Sequence, residues 1–217
     1  MCELLGIDAE KRLLESVEML KNSRVKNQVD SRVKEFGEMR KKSSRDLFNE
    51  LCYCILCANY AAERSMKIQA AMGDGFSALP EYELASKLRL LGHRFPISRA
   101  KYIVEARRIQ DALKDIVSSF NNDFELREWF ARNVRGVGLK EASHFLRNIG
   151  FMNFAILDFH IINILVKFGL ILKPRTLTKR RYLQIEGMLR SFAARANLSL
   201  GELDLYLWYM ETAKVLK

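Results

Sequence analysis

Two polar side chains have the type and setting for covalent chemistry: Lys140 and, eighteen residues on, Asp158. Lys140 stands in Arg135-Gly136-Val137-Gly138-Leu139-Lys140-Glu141-Ala142, two residues after a glycine, which puts it in the first turn of the helix that follows. The N-terminal end of a helix is its positive end, so an ammonium group there is disfavoured. With desolvation and other basic groups nearby, such a lysine gives up its proton more readily, and the free amine is the nucleophile of Schiff-base chemistry. Taken alone, the residue reads as a surface or phosphate-contacting lysine, and it is Asp158 that favours chemistry. Asp158 lies in Ala155-Ile156-Leu157-Asp158-Phe159-His160-Ile161-Ile162 and is the only acid between Glu141 and Glu186. Its place ahead of an apolar helical run makes it an N-cap. Capping fixes the carboxylate and keeps it ionised, so structural and catalytic roles are compatible at this position.

The segment that positions both groups runs from Trp129 to Gly169. The pattern predicts a first helix ending near Val134, a tight turn at Arg135-Gly136-Val137-Gly138, and a second helix from Leu139 to about Asn148, giving a helix-hairpin-helix over residues 129–150. The glycines flank Val137, so the backbone can take conformations other residues avoid, and no side chain shields the amides. Backbone N–H groups beside a helix start form a phosphate site, so Arg135, Gly136, Val137 and Gly138 are read as nucleic-acid contacts. Ala142 is small enough to let the two helices pack closely. A lone Gly-x-Gly would carry little weight, because glycine ends helices routinely.

Elsewhere apolar residues recur at helical period, predicting about ten helices and no strand. Residues Phe48 to Met72 are read as one central buried helix, apolar nearly all round at first, polar from Asn59, and ended by Gly73-Asp74-Gly75. Leu91 to Pro96 is a loop, and Asn121-Asn122-Asp123 caps the next helix. With Gly 11 and Pro 3 in 217 residues, turns are scarce and an all-β architecture is disfavoured. The formal charge of +10 is clustered at Lys21 to Arg45, Arg132 to Arg147 and Lys167 to Arg181, which favours a polyanionic partner, nucleic acid first. No membrane span is expected, and acids near the start leave no room for a signal peptide's apolar core, so the expected location is the cytoplasm. Of four cysteines, Cys52, Cys54 and Cys57 fall in an apolar run, as reduced packing residues do, and no disulfide framework is expected. His93, His144 and His160 are too dispersed for zinc, and neither a metal nor an organic cofactor is expected. The absence of a Gly/Ser/Pro-rich linker argues for one body of at most two lobes.

GVGLKEA, followed eighteen residues after its lysine by LDFH, resembles the endonuclease III superfamily of helix-hairpin-helix DNA glycosylases. With LCANYAAE, LGHRFPISRAKYI, KEASHFLRNIG and the ending ELDLYLWYMETAKVLK, the chain from about Phe48 to Lys217 resembles the archaeal-type 8-oxoguanine DNA glycosylases. The resemblance implies an all-α fold, residues 1–217 forming a single glycosylase unit of two interleaved helical lobes with the active site in a cleft between them. The superfamily's iron–sulfur cluster is not expected, since its four cysteines would follow the aspartate and no cysteine lies beyond Cys57. By carry-over, Lys140 attacks the sugar C1′ and Asp158 assists. A base is excised from double-stranded DNA containing 8-oxoguanine, and the strand is cut through a Schiff base and β-elimination, by a monomer. Asn59 corresponds to the residue that fills the space left by a flipped base, or else caps a helix. Arg94 and Phe95 occupy the wedge position, though Phe95 is also a candidate core residue. Lys217 and Trp208 are expected to read the base. The helical pattern runs to the last residues, and a terminal carboxylate is an acceptor for the N7–H that distinguishes 8-oxoguanine from guanine, while Trp208 stacks on or walls the base, or is core. Phe159 departs from the family, which has a basic residue there, and Arg64-Ser65 replaces glycines. Two other functions compete: the same chemistry on oxidised pyrimidines or mismatches, and a noncatalytic hairpin module that only binds DNA.

Overall fold

The computed structural model describes the backbone of residues 2–217 and the side chains of residues 8–217. In chain order the helices are α1 (Cys2–Lys21), α2 (Val25–Arg40), α3 (Ser44–Cys57), α4 (Ala62–Met72), α5 (Gly75–Ala78), α6 (Glu81–Leu90) and α7 (Pro96–Ala106). A 3₁₀ turn at Arg107–Ile109 leads to α8 (Leu113–Ser118), α9 (Asp123–Asn133), α10 (Leu139–Asn148), α11 (Phe159–Lys167), α12 (Lys179–Arg195) and α13 (Leu200–Thr212). No strand occurs among the described residues, so the class is all-α. The chain forms two units, one of residues Phe36–Gly150 and one of Met1–Glu35 with Phe151–Lys217.

In the unit Phe36–Gly150, α3 is the central element. Ser43 and Asp46 close a capping box at its start, and every residue from Leu47 to Cys57 except Asn49 is buried. A buried carboxylate must be satisfied. Glu50 accepts from Asn148 Nδ2 at 2.6 Å and from Gln69 Nε2 at 3.3 Å, which ties α3 to α10 and α4. Helix α10 is buried from Ala142 to Asn148. It packs on α9 through Phe130 and Phe145, 4.9 Å apart, and through fully buried Arg127, which donates to Ser143 Oγ at 3.2 Å. The expected N-cap of α9 is present as Asn122, whose side chain accepts from Phe124 N–H at 2.8 Å.

The single helix expected over Phe48 to Met72 is two helices. It breaks at Ala58 to Ala61, where Asn59 takes the left-handed conformation at φ 56°. Asparagine is among the few residues that enter this region readily, which is why no glycine is needed. Tyr60 then locks the corner, its N–H on Cys57 O at 3.1 Å and its hydroxyl on Gly92 O at 2.8 Å.

In the other unit the segment before α11 is held in place by α12. Tyr182 donates its hydroxyl to Ala155 O at 2.5 Å, and buried Glu186 accepts from Ala155 N–H at 3.1 Å. Helix α13 starts on a Ser199–Glu202 capping box and packs against α11 and α12. It does not run to the end of the chain as expected. It stops at Thr212, where Ala213 at φ 57° turns the backbone out of the helix.

Candidate active site

The unit Phe36–Gly150 carries Lys140, the hairpin, Asn59, Arg94 and Phe95. At the end of α9, Val134 N–H bonds to Phe130 O at 3.0 Å and Val137 N–H to Val134 O at 3.2 Å, which closes the turn, while the Val137 side chain is buried beneath it. The two glycines are not equivalent. Gly136 sits at φ 79°, and a Cβ there would lie 2.3 Å from the Tyr102 ring, so only glycine fits. Gly138 is extended at φ −97°, and a Cβ would meet nothing closer than the Glu141 carboxylate at 3.5 Å. The expectation that both glycines serve unusual backbone conformations is therefore corrected at Gly138, whose lack of a side chain leaves the start of α10 bare. Arg135 is exposed, paired with Glu105 at 2.8 Å and stacked 5.3 Å from the Tyr102 ring.

Lys140 falls in the first turn of α10, as expected, with its side chain 23% exposed. The charge beside it is acidic: Glu141 Oε1 lies 3.5 Å from Nζ, and Glu141 Oε2 accepts the Gly138 N–H at 3.3 Å. One carboxylate thus braces both the hairpin and the lysine. Burial pushes the Cys57 thiol up, opposed by the Lys140 charge and by hydrogen bonds with Tyr53 and Ser65. Burial pushes Cys52 well up, opposed by the Arg107 charge. Both thiols are buried, protonated packing groups on α3. Among the described residues no three His, Cys, Asp or Glu side chains group so as to hold a metal ion.

Asn59 is exposed at its corner, and α4 takes Ala61 as N-cap, so Asn59 does not cap that helix. Arg94 is exposed and stacks 5.0 Å from the ring of half-buried Phe95, which is therefore not a core residue. The loop is fixed from beneath by His93, which accepts Phe95 N–H on Nδ1 at 3.0 Å and donates Nε2–H to Leu56 O at 3.1 Å. Ser65 is fully buried and donates to Ala61 O.

The other unit carries Asp158, Trp208 and Lys217. Asp158 is half-buried and caps α11, its Oδ1 accepting Ile161 N–H at 2.9 Å. Phe159 is 65% exposed, with Lys173 Nζ 5.9 Å from its ring. Trp208 meets the His160 ring edge-on at 4.5 Å, is half-buried, and has a buried Nε1 with no hydrogen-bond partner among the described residues. Lys217 lies beyond the end of α13, half-buried together with Val215 and Leu216.

The model of the 8-oxoguanine DNA glycosylase family matches residues 29–198. The chain belongs to this family. A relative from Korarchaeum cryptofilum, described as an 8-oxoguanine DNA glycosylase/AP lyase, is 50% identical over 98% of this chain and 100% of its own length. Among solved family structures, the Methanocaldococcus jannaschii 8-oxoguanine glycosylase/lyase in complex with 15mer DNA containing 8-oxoguanine is 50% identical, with TM-score 0.93 over 95% of this chain and 100% of that one. The 8-oxoguanine DNA glycosylase of Thermotoga maritima is 42% identical, with TM-score 0.90 over 96% of this chain and 100% of its own. The residues that sequence left unremarked, Glu141, Arg99 and Tyr102, all lie on the family's matched span. Glu141 three residues after Gly138 carries a readable signal, the acidic half of a capping box.

Proposed function

We infer that the protein is a bifunctional 8-oxoguanine DNA glycosylase/AP lyase of base excision repair. The observation that carries this reading is Lys140 in the first turn of the hairpin's second helix, beside Glu141, in a chain of this family. The damaged nucleotide must leave the duplex before its sugar can be reached. The Lys140 amine, once unprotonated, bonds to C1′ as the bond from C1′ to the base breaks and the base leaves with a proton. Ring opening then gives a Schiff base. Loss of a C2′ proton expels the 3′-oxygen with its phosphate, which cuts the strand, and water releases the lysine. Asp158 holds its charge toward the positive charge that develops on the sugar, the electrostatic role a fixed carboxylate performs best.

The remaining assignments belong to the same reading. The glycine turn of Arg135 to Gly138 grips a backbone phosphate, Asn59 fills the space of the flipped base, Arg94 and Phe95 form the wedge, and Trp208 with Lys217 reads the lesion. The protein acts as a monomer in the cytoplasm. A panel of duplexes carrying 8-oxoguanine, an oxidised pyrimidine, a mismatch or an abasic site tests it. Excision of 8-oxoguanine with strand cleavage is expected, whereas preference for a pyrimidine lesion, or binding with no product, would contradict it.

A further inference from the structure

Arg99 on α7 is 8% exposed, and an arginine so placed must be held by its contacts. Burial pushes the guanidinium below its ordinary value, while Tyr102 and Glu141 pull it back up. Its NH2 group donates to Ala58 O at 2.5 Å. That carbonyl immediately precedes Asn59, a non-glycine residue in the left-handed region, where the surrounding structure must over-determine the conformation. The same guanidinium lies 5.4 Å from the Phe95 ring and 5.7 Å from the Tyr102 ring. Tyr102 in turn packs on Gly136 so closely that no Cβ fits, and carries Arg135 5.3 Å from its ring. One buried cation therefore touches the corner that presents Asn59, the Phe95 ring, and the ring under the hairpin. A planar guanidinium can bond in its plane and stack on its faces at once, which an ammonium cannot.

Resting on the reading above, we propose that Arg99 is a positioning residue for base flipping, holding Asn59 and Phe95 in register with the phosphate-gripping hairpin. Flipping costs least where the base is already unpaired. The defect of an Arg99 variant is therefore confined to paired substrates. The test is single-turnover excision by wild type, Arg99→Lys and Tyr102→Leu, on 8-oxoguanine paired with cytosine and on the same lesion in a single-nucleotide bulge. Both variants should lose about tenfold or more on the paired duplex and stay within roughly threefold of wild type on the bulge. Cleavage of a pre-formed abasic site by either variant, and the affinity of Arg99→Lys for undamaged duplex, should not change. Equal loss on both lesion substrates, or no loss on either, overturns the proposal. If Arg99→Lys fails to fold, Tyr102→Leu, which keeps the Arg99 hydrogen bond to Ala58 O, decides the matter by the same criterion. Wild-type inactivity on both lesion substrates would overturn the function reading, and this proposal with it.

Discussion

The starts of α10 and α11 present the same field to opposite charges. Helix α10 begins on Gly138, which has no side chain to cap with, and places Lys140 in its first turn. Helix α11 begins on Asp158, whose carboxylate caps the helix. A helix N-terminus stabilises an anion and penalises a cation. At α11 the charge and the field agree, and the Asp158 carboxylate accepts the Ile161 N–H. At α10 they oppose each other, and Glu141 supplies the neighbouring negative charge that braces the lysine. The contrast sets a cation against the helix field at one start and an anion with it at the other, through the choice of cap.

The largest effect should come from the α10 side. Lys140→Gln is expected to lower excision and cleavage by roughly 10³-fold or more, the scale of losing a nucleophile that acts as part of a unit. Undamaged-duplex affinity, measured by fluorescence anisotropy, should hold. Asp158→Asn comes next. Asparagine caps as well as aspartate, so thermal stability should hold within a few tenths of a kcal/mol while excision falls on the order of 10²-fold or more. A stability loss that accounts for the whole defect would reduce Asp158 to its cap. Asp158→Ala should in addition cost about 1 kcal/mol in denaturant unfolding.

The two hairpin glycines sharpen the same comparison at smaller amplitude. Gly136→Ala combines an unfavourable φ with a Cβ at 2.3 Å from Tyr102, so it should destabilise the fold by about 1–3 kcal/mol and weaken DNA binding together. Gly138→Ser is the smallest change in stability. Its extended backbone suits a serine cap, and gaining that cap should shift unfolding by only a few tenths of a kcal/mol. It puts a side chain over the helix start, however, so duplex affinity should fall without any loss of fold. Unaltered affinity would remove the proposed phosphate role of that turn.

Local signals made the elements that carry Lys140 and Asp158 legible. The glycine spacing bounded the hairpin, Asn122 and Asp158 capped the helices they were expected to cap, and the apolar Cys52 to Cys57 run proved to be the buried centre of its unit. Two helix ends were not legible for one shared reason. Asn59 and Ala213 adopt positive φ without being glycine, so neither the α3–α4 break nor the stop at Thr212 carries the glycine that marks most such ends. Arg99 was invisible for a different reason, since its hydrogen-bond partner Ala58 lies 41 residues away and its ring partners acquire meaning only once the fold joins them. The unequal roles of Gly136 and Gly138 likewise depend on Tyr102, which no spacing rule connects to the hairpin.

The identity of the nucleophile is the central claim, and covalent trapping reads it directly. Borohydride added during turnover on an 8-oxoguanine duplex, followed by proteolysis and mass spectrometry, should place the reduced sugar adduct on the peptide containing Lys140. An adduct mapped to another lysine or to the N-terminal amine, or excision with no adduct at all, would contradict the account.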